Sequence, residues 1–236
     1  MFLHASIQWY YSIISVFALC GLLLLTQKSK ADPLLNTDDA SITAAHRCQL
    51  ETAYTRSQGQ VWSVQMTPAC NLNENLEISL GYHAAQNVND DAHGFSVQAK
   101  TVLKPMENNW GMASSLMLSH DRQFDRSSDL GWFFNVPVSF RFLDQSLGID
   151  TNVGYQYAHD HAYLMRWGIA SSYNFTERLS LSAEVYNQDR QAPFFQTAIS
   201  YSLIPNILTL ETSFGDRLHA FRQRWFGLGL SFTPAS

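Results

Sequence analysis

The segment Leu147–Ala158 (LGIDTNVGYQYA) alternates with a period of two. Ile149, Thr151, Val153, Tyr155 and Tyr157 fall on one face, and Gly148, Asp150, Asn152, Gly154, Gln156 and Ala158 on the other. The second face has no bulky apolar residue. A period of two is the signature of a strand with two different faces, because successive side chains point to opposite sides of the pleat. On a helix, which needs apolar residues at i, i+3, i+4 and i+7, the same residues would wrap the whole circumference.

Other segments repeat the pattern. Leu76, Ile78, Leu80 and Tyr82 alternate with Glu77, Ser79, Gly81 and His83. Trp132, Phe134, Val136, Val138, Phe140 and Phe142 alternate with Phe133, Asn135, Pro137, Ser139 and Arg141. Phe195, Thr197, Ile199, Tyr201 and Leu203 alternate with Gln196, Ala198, Ser200 and Ser202. These rows predict twelve strands, at roughly 47–56, 61–69, 75–84, 94–104, 109–119, 130–142, 147–158, 162–174, 178–188, 193–204, 206–215 and 223–232.

The polar rows decide where the apolar rows point. A soluble β-sandwich or lipocalin-like barrel turns its apolar rows inward and shows solvent a face rich in Lys and Glu. Here the polar rows are Gly, Ser, Asn, Gln and Ala, and the apolar rows are rich in Tyr, Trp and Phe near strand ends. Only 15% of the chain is charged while 13% is aromatic, against about 25% charged in ordinary soluble domains. The expected fold is therefore all-β, a closed antiparallel transmembrane β-barrel of about 12 strands over residues 46–236. An even strand count brings both chain ends to one side, the periplasmic one.

The connections alternate in the same sense. Lys104–Asn109, Leu143–Ser146, Phe175–Glu177 and Pro205-Asn206 read as tight periplasmic turns. Ala85–His93, Asp121–Asp129, Asp189–Ala192 and Asp216–Arg222 are longer, more charged, and read as outer loops.

Ahead of the barrel, Ile13 to Leu25 (IISVFALCGLLLL) is an apolar run of signal-peptide length, followed by Ser29-Lys30-Ala31. Small residues at the −3 and −1 positions predict a signal peptide over 1–31 and a mature start at Asp32. The alternative is an uncleaved anchor, which would leave the chain in the cytoplasm with its lipid-facing rows in water. Residues 32–45 (DPLLNTDDASITAA) are polar and are expected to form a short periplasmic tail.

Cys20 would leave with the signal peptide, while Cys48 and Cys70 remain. They are symmetric about Gly59 in the turn-like Ser57-Gln58-Gly59-Gln60, so they face each other across the first hairpin at its periplasmic end. An even pair in an exported chain predicts a disulfide. A redox-active pair would need a depressed thiol pKa, for which the neighbouring bases give no support.

The chain resembles the small Gram-negative outer-membrane barrels, including the transporter-like family associated with the phenol-degradation pathway. The resemblance covers residues 46–232 and is carried by the dyad strands and by segments such as Asn75–His83 (NLEISLGYH) and Arg224–Phe232 (RWFGLGLSF). It implies an outer-membrane location, lipid as a partner, and passage of small solutes by a passive channel or transporter-like barrel. It implies no cofactor. The competing reading is a plugged structural or interaction barrel acting through its outer loops.

By phase, the lumen is expected to carry Glu51, Glu77, His83, Lys100, Lys104, Arg141, Asp150, Arg166, Glu184 and Glu211. These could form a polar pore lining, or pair with one another and fill the interior, since buried charges persist when partnered. Neither sign dominates, so pairing is favoured and strong charge selectivity is not expected. The net charge of −5, with no block of Lys or Arg, excludes nucleic acid as a partner.

Histidines and acids cluster near the outer loops: Asp90, Asp91 and His93; His120 and Asp121; His159, Asp160 and His161; Asp216 and His219. No recognised ligand spacing joins them, so no metal site is assigned. Ser119, His120 and Asp121 are the nearest approach to a hydrolytic group. Adjacent strand residues point to opposite faces, so Ser119 and His120 cannot cooperate. An enzyme, in the form of an outer-membrane hydrolase, is thus the least supported class.

Overall fold

The computed structural model describes residues 33–58, 61–88, 90–122, 128–158, 161–189, 191–219 and 223–234. Twelve antiparallel strands close into a barrel. They are β1 (Cys48–Ser57), β2 (Trp62–Asn71), β3 (Leu76–Gln86), β4 (Asp91–Glu107), β5 (Trp110–Arg122) and β6 (Ser128–Phe142), then β7 (Leu147–Ala158), β8 (His161–Asn174), β9 (Leu179–Gln188), β10 (Phe194–Ile204), β11 (Leu208–Arg217) and β12 (Trp225–Phe232). Each strand pairs with its sequence neighbours, and β1 closes the ring against β12 from Leu50↔Phe232 to Ser57↔Trp225. Closure matters physically, because a barrel leaves no strand edge with unpaired backbone groups in lipid.

One end of the barrel is built from tight turns. Asn108 and Asn109 both take positive φ, 53° and 65°, the conformation a two-residue hairpin turn requires and asparagine tolerates. Asn206, at φ 61°, turns β10 into β11. The opposite end carries the connections expected to be long loops. The two expected at Ala85–His93 and Asp121–Asp129 are shorter because the strands run on into them: β4 begins at Asp91 and β5 reaches Arg122.

The rows segregate as their chemistry demands. Ser180, Ser182 and Glu184 of β9 are buried, whereas Leu179, Leu181 and Val185 are exposed. Leu80 is 58% exposed and Ile169 53%, while Gln196 is 2% exposed and Glu211 1%. A water-soluble protein shows the reverse. The outward apolar surface is the one a bilayer covers, with aromatics at both ends, such as Tyr155 and Phe226 at one and Trp110, Tyr173 and Phe232 at the other.

Cys48 and Cys70 are register partners and form a disulfide with Cα atoms 4.0 Å apart. It ties β1 to β2 at the turn end, as the spacing predicts. The signal segment and Gly59 lie outside the described residues.

A barrel of twelve strands encloses more space than inward rows of Ser, Gly and Ala can fill, since about eight strands already exhaust what side chains occupy. Residues 33–47 use that space. The segment expected as a short periplasmic tail instead runs through the lumen as an internal strap. Its backbone polar groups, which would otherwise bond water, are taken up by inward-facing side chains of the wall.

Candidate functional site

The strap leaves the turn end at Arg47, whose carbonyl accepts a hydrogen bond from the Asn71 amide at 2.9 Å. At Thr43, the backbone N–H and the hydroxyl both donate to the Glu77 carboxylate, and the carbonyl accepts from the Asn71 side chain. The Ala40 amide donates to the Ser139 hydroxyl at 2.8 Å.

Next comes a pair of acids. Asp38 meets the Lys100 ammonium at 2.7 Å, and Asp39 stands 3.6 Å from the same ammonium and 4.0 Å from Arg141. Arg141 is held in turn by Asp150 at 2.8 Å. Lys100 is almost fully buried, so its charge is sustained by these carboxylates rather than by water.

The strap then runs past β9 and β11. Glu184 accepts the amides of Asn36 and Thr37 at 3.0 and 2.8 Å. Glu211 accepts the Leu34 amide at 3.1 Å and the Ser200 hydroxyl at 2.9 Å. Three wall glycines make room. A Cβ at Gly168 would run into the Thr37 hydroxyl, one at Gly227 would press on Leu34, and one at Gly229 on Pro33 and Leu34.

The sequence-expected lumen residues thus divide. Glu77, Lys100, Arg141, Asp150, Glu184 and Glu211 gather around the strap. Glu51 faces the lumen beside Ser231 and takes a hydrogen bond from the Gln49 side-chain amide at 3.2 Å. His83 lies toward the loop end, 3.5 Å from the Asp121 carboxylate.

Lys104 departs from the expectation. The β4–β5 register shifts between Val102 and Lys104, which pairs Lys104 with Met112 on the outward row. One extra residue in a bulge reverses the face of the residues beyond it. The Lys104 ammonium lies 4.3 Å over the Trp110 ring and donates to the carbonyls of Pro105, Glu107 and Trp110. It caps a turn and does not line the lumen.

The loop-end half of the lumen has a different character. Phe133 packs against Gly154, whose missing side chain leaves space for the ring, and the Arg166 guanidinium lies 4.8 Å over that ring. Trp225 packs in the same way against Gly215. Phe194 meets Trp225 edge-on at 5.9 Å and stacks on Tyr186 at 5.4 Å, and Arg217 covers its ring at 4.6 Å. Gln196 joins the two halves: it accepts from the Trp225 indole at 3.2 Å and donates to the Leu34 carbonyl at 2.8 Å. Sequence reading missed this wall, although Phe133, a bulky ring in a row of small polar residues, was a visible signal.

The Ser119 hydroxyl donates to Asp121 at 2.9 Å, so its partner is an acid and not a histidine. His120 points to the outward row, paired with Phe95 and Leu130. His159 and Asp160 lie outside the described residues, as does the side chain of His161. Among the described residues, no group of three or more His, Cys, Asp or Glu is placed to hold a metal ion.

A protein-family model described as "Uncharacterised conserved protein UCP029691" matches residues 20–233. No curated protein matches the chain by sequence. Among solved structures, a KdgM porin in complex with disordered oligogalacturonate is similar over 79% of this chain and 99% of that one, with a TM-score of 0.65 and 12% identity. The NanC porin matches over 78% and 98%, at TM-score 0.61 and 11% identity. The COG4313 outer membrane channel from Pseudomonas putida F1 matches over 85% and 100%, at TM-score 0.59 and 10% identity. At such identities the likeness is one of fold.

Proposed function

The chain belongs to the family described as "Uncharacterised conserved protein UCP029691", and from that footing we propose that it is an outer-membrane channel for small solutes, narrowed by its own N-terminal strap. The turn end, where β1 begins and β12 ends, faces the periplasm, where an oxidising environment suits the Cys48–Cys70 bridge. Signal-peptide removal at Ala31–Asp32 would make the strap the mature N-terminus.

The observation that carries this reading is the inverted distribution of polarity. A closed apolar exterior surrounds a polar lumen in which the strap meets Glu77, Lys100, Glu184 and Glu211. A strap held by hydrogen bonds and ion pairs exchanges those bonds for water at modest net cost when it moves. The reading is non-enzymatic, and the Ser119–Asp121 pairing supports it: a nucleophilic serine needs a base beside it.

Planar-bilayer recording tests the proposal. The mature barrel should show small or infrequent conductance steps, and a variant lacking residues 33–43 should show larger ones. Folded protein that passes no current in either form would overturn the channel reading in favour of a closed structural barrel.

A further inference from the structure

The two halves of the lumen differ in how their charges are satisfied. In the turn-end half Lys100 has Asp38 and Asp39, and Arg141 has Asp150. In the loop-end half, Arg166 and Arg217 have no carboxylate within ion-pair distance among the described residues. Arg166 makes one hydrogen bond to Gln156 at 3.3 Å, and Arg217 one to Gln191 at 3.4 Å. The Arg217 Nε is buried with no hydrogen-bond partner, a costly state for a charged donor unless something else supplies the acceptor.

Aromatic rings stand beside both cations. Phe133 and Trp225 each lie against the wall over a glycine, Gly154 and Gly215, where any Cβ would collide with the ring. Phe194 meets Trp225 edge-on, stacks on Tyr186 and carries the Arg217 guanidinium over its ring. Guanidinium groups without a carboxylate, set beside aromatic faces, combine charge-assisted hydrogen bonding with stacking.

We infer that this wall binds a small organic anion carrying a planar ring, an aromatic carboxylate in chemical class. The carboxylate takes a donor from Arg217, Arg166 on the same wall adds its positive field, and the ligand ring lies against Trp225. Gln196 fixes the indole orientation from below while holding the strap, so the ligand rests on the strap's upper end. Asp121, on the facing wall, is engaged by Ser119 and stands beside His83. The inference deepens the channel reading by naming its solute class, but binding is measurable without transport.

Isothermal titration of the intact mature barrel in detergent decides it, with benzoate, benzyl alcohol and galacturonate as probes. Benzoate should give saturable heat, and benzyl alcohol, which keeps the ring and lacks the charge, should bind about tenfold or more weakly. Galacturonate, an anion with a non-planar ring, should also bind more weakly than benzoate. Arg217→Gln and Arg166→Gln should each reduce benzoate affinity by a similar factor, with folding checked by heat-modifiable gel migration. Absence of benzoate heat, galacturonate binding equal to benzoate, or unchanged affinity in both folded variants would overturn the inference. A barrel that binds benzoate but conducts nothing refutes the channel alone, and one that conducts without binding refutes the wall alone.

Discussion

Gln196 holds Trp225: its side-chain carbonyl accepts the indole N–H at 3.2 Å, while its amide donates to Leu34 of the strap at 2.8 Å. One buried amide therefore links the aromatic wall of the lumen to the segment that fills the other half. Gln196→Leu keeps the volume and removes both bonds, stranding a buried carbonyl and an indole N–H. Urea unfolding should show a loss of about 1–3 kcal/mol, together with a changed tryptophan emission. An unchanged midpoint would mean that the link carries no energy.

The acids of the strap are expected to depend on Lys100. Lys100→Met leaves Asp38 and Asp39 beside a neutral apolar chain, which costs about 3–5 kcal/mol for a buried charge stripped of its partner. Adding Asp38→Asn should restore a large part of that stability. Equal stability of the single and double variants would show that the pair is solvated rather than buried.

Gly168 offers a way to dislodge the strap without touching its residues. Its missing side chain is the space that Thr37 occupies, and valine suits a strand. Gly168→Val should leave the β-sheet circular dichroism intact and raise single-channel conductance, with residues 33–43 becoming accessible to protease. Wild-type conductance and protection would place Thr37 elsewhere.

Charge selectivity should track the lumen assignment. Arg166→Gln removes an inward cation and should shift the reversal potential in a salt gradient toward cation preference. Lys104→Gln should leave it unchanged, because the bulge turns Lys104 to the Trp110 side of the wall. A shift of similar size in the Lys104 variant would return that residue to the lumen.

The bridge between Cys48 and Cys70 spans a sequence separation of 22, so its loss should lower stability by about 3 kcal/mol. The Cys48→Ser/Cys70→Ser barrel should unfold at lower urea with its strand content retained. Coincident unfolding curves with and without the bridge would contradict this.

Alternation alone made the barrel legible. A strand with Ser180, Ser182 and Glu184 on one face and Leu179, Leu181 and Val185 on the other admits one environment, regardless of its neighbours in the chain. Register was legible for Cys48 and Cys70 because a hairpin has a midpoint. The strap was not, since DPLLNTDDASITAA has no periodicity and reads the same whether water or a wall of Asn, Ser and Glu side chains satisfies its backbone. Lys104 was misplaced because phase counting assumes an unbroken ladder, and a bulge leaves no mark in composition. The aromatic wall was hidden for a third reason: phase turns Phe194 and Trp225 inward with Gln196 and Gly227, but only the register brings Arg217 and Gly215 beside them.

Residues 33–43 are joined to β1 by only a few residues, so the strap is a ligand covalently carried by its own receptor. A short tether of this kind holds a binding partner at an effective concentration on the order of millimolar. Any free peptide offered the seat between Glu77 and Glu211 competes against that tethered population, as does any solute whose passage requires the strap to leave. The seat refills as soon as the competitor departs, which makes the occupied lumen the state to which the barrel returns.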